Sequence, residues 1–165
     1  MQSSIFSLLL LGVYLGLDAM PGLSESALVR GTCPMSWFIF NGRCYKYVAT
    51  HSTWADAEIN CVSQGANLVS IYSLEEDNFV RSLIQNFDRT VGPAWIGLSD
   101  HHKDGAWMWS DGCPVVYMNW NKGEPNNYGG NEACGEIGWD NGKNWNDMVC
   151  SRTFPSVCAT RKPYC

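Results

Sequence analysis

"STWADAEINCVSQGANLVSIYSLEEDNFVRSLIQNF", residues 52 to 87, reads as two helices separated by one short extended run. Ser52 or Thr53 offers a hydroxyl to cap the first helix, Trp54, Ala57 and Cys61 recur at helical spacing, and Gly65 ends it. "NLVSIYS" (67–73) is of β type. Ser73 and Glu76 then form the S-x-x-E signature of a second helix start. That helix is expected to turn Leu74, Phe79, Leu83 and Ile84 inward.

On the N-terminal side, "CPMSWFIFNGRCYKYVAT" (33–50) alternates aromatic and polar residues about Asn41-Gly42, a dipeptide suited to a tight hairpin turn. Cys33 and Cys44 fall on its two arms and are expected to pair. On the C-terminal side, "PAWIGLSD" (93–100) reads as a buried strand, with Trp95 and Leu98 in the core. "AWMWSDG" (106–112) continues as a second strand by alternation, and "MVCSRTFPSVCATR" (148–161) closes the chain with β-type residues. Between Cys113 and Trp145 regular periodicity is lost, and a loop of that length in a small domain has to be functional or tied down. The order of elements gives one α+β domain.

The chain has 165 residues and begins with Met1. The apolar run from Ile5 to Leu17 is short for a membrane span and matches the core of a signal peptide. The expected division is signal peptide 1–22, flexible leader 23–32, domain 33–160 and tail 161–165, in a secreted, extracellular protein. Eight cysteines agree with export, because an oxidising compartment lets them pair, and none lies in a C-x-x-C. A net charge of -5 without any Lys/Arg cluster argues against nucleic acid or an anionic membrane as the main partner. His51, His101 and His102 are the only histidines, and none sits in a setting for nucleophilic catalysis. The Cys-Cys-x-x-His helix of small calcium-dependent phospholipases is absent, so an enzyme is not expected.

"WADAEINC", "LVSIYSLEE", "WIGLSD", "EPN" and "WND" occur in an order and spacing that resembles the C-type lectin-like domains. The resemblance runs from Cys33 to about Thr160. It implies two helices and two small antiparallel sheets, with the N- and C-terminal strands paired. It also implies disulfides Cys61–Cys158 and Cys134–Cys150, while the Cys33–Cys44 hairpin marks the long form of the domain. Cys113 and Cys165 have no place in the family pattern. They are left either to pair with each other or to link two chains as a disulfide-linked homodimer.

Calcium takes six to eight oxygen ligands. "GEPNNYGGNE" (123–132) offers Glu124, Asn126 and Glu132, and "NWNDM" (144–148) offers Asn146 and Asp147. These match the family's ligand types at the family's spacing, so the resemblance implies a Ca2+ site, with a cis bond at Glu124–Pro125 turning the flanking oxygens together. Asp100, Asp104 and Glu132 also match an auxiliary site of some members, but Asn127 and Ala133 stand where carboxylates are expected, so a second tight site is not expected. An EF-hand reading of "DHHKDGAWMWSD" (100–111) fails because His102 takes a ligand position and "AWMW" reads as strand.

In the family, Glu-Pro-Asn goes with equatorial 3- and 4-hydroxyls. The implied partners are glycans ending in mannose, glucose, N-acetylglucosamine or fucose, bound by the same five residues. Ice binding, known on this fold in fish antifreeze proteins, is the alternative. Against it, residues 121–147 contain no threonine and the loop carries charged carboxylates.

Overall fold

The computed structural model describes residues 33–90, 92–139 and 144–165. The expected signal peptide 1–22 and leader 23–32 lie outside the described residues. Strand β1 (Phe38–Phe40) turns through Asn41 and Gly42 into β2 (Arg43–Ser52), and both turn residues have positive φ, 46° and 77°. That is the geometry for which Asn-Gly is selected, since both central residues must enter the left-handed region. Cys33 and Cys44 are disulfide-bonded across this hairpin, as expected.

Helix α1 (Trp54–Ser63) is capped by Thr53, whose hydroxyl accepts from the Asp56 N–H. Gly65, at φ 73°, follows its C-cap. Strand β3 is only Asn67–Leu68. Helix α2 (Leu74–Phe87) starts at Ser73, whose hydroxyl accepts from the Glu76 N–H at 3.2 Å. The reciprocal half of the capping box is absent. The Glu76 carboxylate instead accepts from the Tyr72 N–H at 2.9 Å, the Tyr45 hydroxyl at 2.5 Å and the Arg43 guanidinium at 2.5 Å, all in or near the core. The inward face is therefore shifted. Phe79, Leu83 and Ile84 face the core, but Leu74 is 54 % exposed, and Glu76, Asp77 and Val80 are buried in its stead. Two buried acids on this face displaced the apolar pattern by which inward positions are recognised.

Strand β4 (Ala94–Ser99) is buried throughout, as expected. Gly97 within it is necessary, because a Cβ there would stand 2.7 Å from the Leu68 carbonyl oxygen. The second strand is shorter than its alternation suggests, only β5 (Met108–Trp109). The irregular stretch contains an unforeseen strand, β6 (Cys134–Trp139), which pairs with β7 (Asn144–Met148). Gly135, Glu136 and Gly138 interrupt its apolar alternation, so it carries no strand signature. Strand β8 (Phe154–Ala159) closes the chain against β2.

Two antiparallel ladders result, β1-β2-β8 with β3 added to β8, and β4-β6-β7 with β5 added to β4. The expectation of two separate sheets needs one correction. A single parallel pairing, Trp95 with Ser156, joins β4 to β8, so the strands form one continuous mixed sheet. The bridges Cys61–Cys158 and Cys134–Cys150 are present, the first closing α1 onto β8 across 97 residues. Cys113 and Cys165 bond to each other within the chain. No free cysteine remains, which removes the thiols that a disulfide-linked homodimer would need. The C-terminus reaches Cys113 in the fold, a proximity with no trace in linear spacing. No described helix is long and apolar enough to cross a membrane.

Candidate functional site

The loop between β5 and β6 is held from beneath by Trp145, which is fully buried. Trp109, Tyr117 and Trp120 meet its ring edge-on, with centroids 5.7, 5.6 and 6.0 Å away. Backbone bonds lace the same place, from the Trp145 N–H to the Asn119 carbonyl and from the Asn121 N–H to the Trp145 carbonyl. The indole N–H donates to Asp77 Oδ1 at 2.7 Å. Asp77 Oδ2 accepts from Asn119 at 2.9 Å and from Arg81, so α2 grips both the loop and β7 through one buried carboxylate. Arg81 also donates to Asn144 at 3.1 Å, at the start of β7. Asp77, Arg81 and Asn119 carry no sign of this role in the sequence. Asp77 and Arg81, at i and i+4 on a helix, look there like a solvated pair.

The anchored β7 presents Asn146 and Asp147, which are 4 % and 1 % exposed. Asp147 turns back to the loop. Its Oδ1 accepts from the Asn126 N–H at 3.0 Å and its Oδ2 from the Asn127 N–H at 2.7 Å. The peptide between Glu124 and Pro125 is cis, as expected. Asn127, at φ 45°, braces the loop on its far side. Its amide donates to Asp104 at 3.1 Å and accepts from the Glu132 N–H at 3.1 Å. The Glu132 carboxylate accepts from the Tyr128 N–H at 2.9 Å, while the Tyr128 ring is 80 % exposed.

Three carboxylates thus face one another. Burial, then the neighbouring Asp147 carboxylate, then Glu132, push the Glu124 carboxyl above the usual range. Burial also raises Glu132, with Asp147 adding to it and the Tyr128 N–H opposing. Glu124 Oε2 is buried and has no hydrogen-bond partner. All five expected ligand residues therefore lie on two segments bound directly to each other, and Asn126 and Asn146 flank the acids. Behind them is a residue that sequence reasoning missed. Glu136 on β6 is fully buried, and burial first, with the Glu124 charge, pushes its carboxyl up to about 8 against the favourable effect of the Asn146 amide.

The three acids that match an auxiliary site are brought together. Asp100, Asp104 and Glu132 line one shallow cavity with Asn127 and Ala133, and Asn127 hydrogen-bonds where a carboxylate would stand. Asp100 accepts from the Gly105 N–H, which fits a tight turn before β5 and no EF-hand loop. His51, His101 and His102 are exposed.

The family model of the Lectin C-type domain matches residues 50–160. Ladderlectin of Oncorhynchus mykiss is 44 % identical over 127 residues, covering 77 % of this chain and 67 % of that protein. "Lactose-binding lectin l-2" of Anguilla japonica is 42 % identical over 138 residues, covering 81 % of each. Among solved structures, herring type II antifreeze protein superposes with a TM-score of 0.73 at 37 % identity, covering 79 % of this chain and 99 % of its own. Fold, disulfide framework and sequence agree, and the chain belongs to the C-type lectin domain family.

Proposed function

We propose that the chain is a secreted, calcium-dependent lectin that holds mannose-type sugars at the loop of Glu124, Asn126, Glu132, Asn146 and Asp147. The observation that carries this reading is the buried Glu124 oxygen without a donor, set among two further carboxylates. Buried acids are ordinarily paired with a cation or hydrogen-bonded. The donor set is all oxygen, from acids and amides, as a hard cation of calcium's kind prefers. The residues present therefore fit the ion. Four disulfides suit an oxidising, extracellular setting.

Bound there, calcium would supply open coordination positions for two neighbouring sugar hydroxyls. The protein's part is donor and acceptor placement. Glu124 and Glu132 accept the hydroxyl protons, and the amides of Asn126 and Asn146 donate to the hydroxyl oxygens, so each group of the diol is satisfied. Reversing acid and amide would leave donors facing donors, which is the basis for selecting equatorial 3- and 4-hydroxyls. A related chain named for lactose makes galactose the competing sugar. The Glu124-Pro125-Asn126 order favours mannose.

Retention on mannan-agarose, release by chelator, and competition by mannose but not lactose are the expected results. Elution by lactose alone would refute the sugar assignment. The likeness to an antifreeze structure supports ice binding as the second reading. Thermal hysteresis without sugar retention would establish it over the lectin.

A further inference from the structure

We propose that Glu136 is a positioning residue of the cation site, a carboxylate that supplies negative charge from behind Asn146 and Glu124 and raises affinity for the divalent ion. The inference rests on the calcium reading above and extends it to a residue outside the five ligands.

Its basis is a conflict in burial. Glu136 has no exposed surface, and the Asn146 amide is the one donor that acts on its carboxylate, without closing a full hydrogen bond to either oxygen. Together with Glu124 Oε2, three buried carboxylate oxygens near one site lack a completed hydrogen bond. A buried acid kept for structure ordinarily comes with such bonds, as Asp77 and Glu76 do here. An apolar side chain of similar size between Trp95 and Asn146 would serve packing better.

Position supplies the second part. In the antiparallel register Glu136 stands directly opposite Trp95 on β4 and Asn146 on β7. Directly opposed residues share a face of the sheet, so Glu136 and Asn146 are side-by-side neighbours. Asn146 and Glu124 are the polar groups that act on the charge of Glu136. Without the ion, ionising Glu124 and Glu136 together is unfavourable. With a divalent cation in front of Asn146, the same two acids both face positive charge. Glu136 thereby orients the Asn146 amide and biases the site toward a doubly charged occupant. Residues in this supporting role typically change metal affinity by about 10- to 100-fold when altered.

Glu136→Gln keeps the shape and removes the charge. Calcium affinity, read by calorimetry on the full mature chain, is expected to fall at least about tenfold. Melting in chelator is expected to be unchanged or higher, because an unfavourable ionisation is removed. Glu136→Asp, which keeps the charge, is expected to bind calcium more tightly than the Gln variant, and Glu136→Met, uncharged and of similar length, takes the place of the Gln variant in that comparison if Gln does not fold. Equal calcium affinity in wild type and Glu136→Gln, or in the Gln and Asp variants, overturns the inference while leaving the calcium reading intact. A lower melting point in chelator with unchanged calcium affinity also overturns it, by making Glu136 a packing residue. A wild type that takes up no calcium overturns both readings.

Discussion

Replacing Asp77 by alanine tests whether helix α2 holds the binding loop through one carboxylate. The side chain has no exposed surface and accepts from the Trp145 indole, from Asn119 and from Arg81. Alanine strands the indole N–H of a fully buried tryptophan, which costs about 1–3 kcal/mol. It also frees the Asn119 amide, adding about 1 kcal/mol. Arg81 loses its ionic partner, but its side chain is partly exposed and keeps Asn144, so its share is small. The sum is about 3 kcal/mol, within the range for breaking one side of a buried pair. For a domain of this size that lowers Tm by about 10–15 °C. Asp77→Asn keeps the shape and one acceptor, and is expected to cost about half as much. Because Trp145 directly precedes Asn146 and Asp147, calcium affinity should fall together with stability. Differential scanning calorimetry and calcium titration read the two effects. A Tm drop under about 3 °C for Asp77→Ala would show that the aromatic packing alone fixes Trp145, and the anchoring argument would fail.

Non-reducing electrophoresis should show a monomer, and denatured, unreduced protein should take up no thiol reagent. Removing the Cys113–Cys165 bond, which spans 52 residues, should cost at most about 4 kcal/mol in the chain-entropy model. In chelator, raised carboxyls at Glu124, Glu132 and Glu136 mean that the folded chain binds more protons than the unfolded one. Their contribution to stability is full below the ordinary carboxylate range and is lost as pH rises toward about 8, the value for Glu136. Excess calcium should reverse that slope, since the ion needs ionised acids, so calcium's effect on Tm should shrink as pH falls. Parallel Tm–pH curves with and without calcium would contradict this. Tyr128→Ala keeps the backbone N–H that braces Glu132, so calcium titration should give an unchanged affinity.

Local signals were enough for much of this molecule. The Asn41-Gly42 turn and the Thr53 and Ser73 caps are short-range features. Each depends on residues a few positions apart, where backbone conformation and hydrogen bonding follow from residue type. Tertiary structure decided the rest, because burial and charge environment depend on residues distant in the chain. It alone turned Leu74 outward and Glu76 and Asp77 inward, made a strand of the glycine-broken segment 134–139, and brought Cys165 to Cys113. It also set Glu136, which in sequence is one more surface-type acid, behind the loop with only the Asn146 amide to act on its charge. A carboxylate's identity is written locally, but whether it meets water, an arginine or another carboxylate is a property of the packed whole.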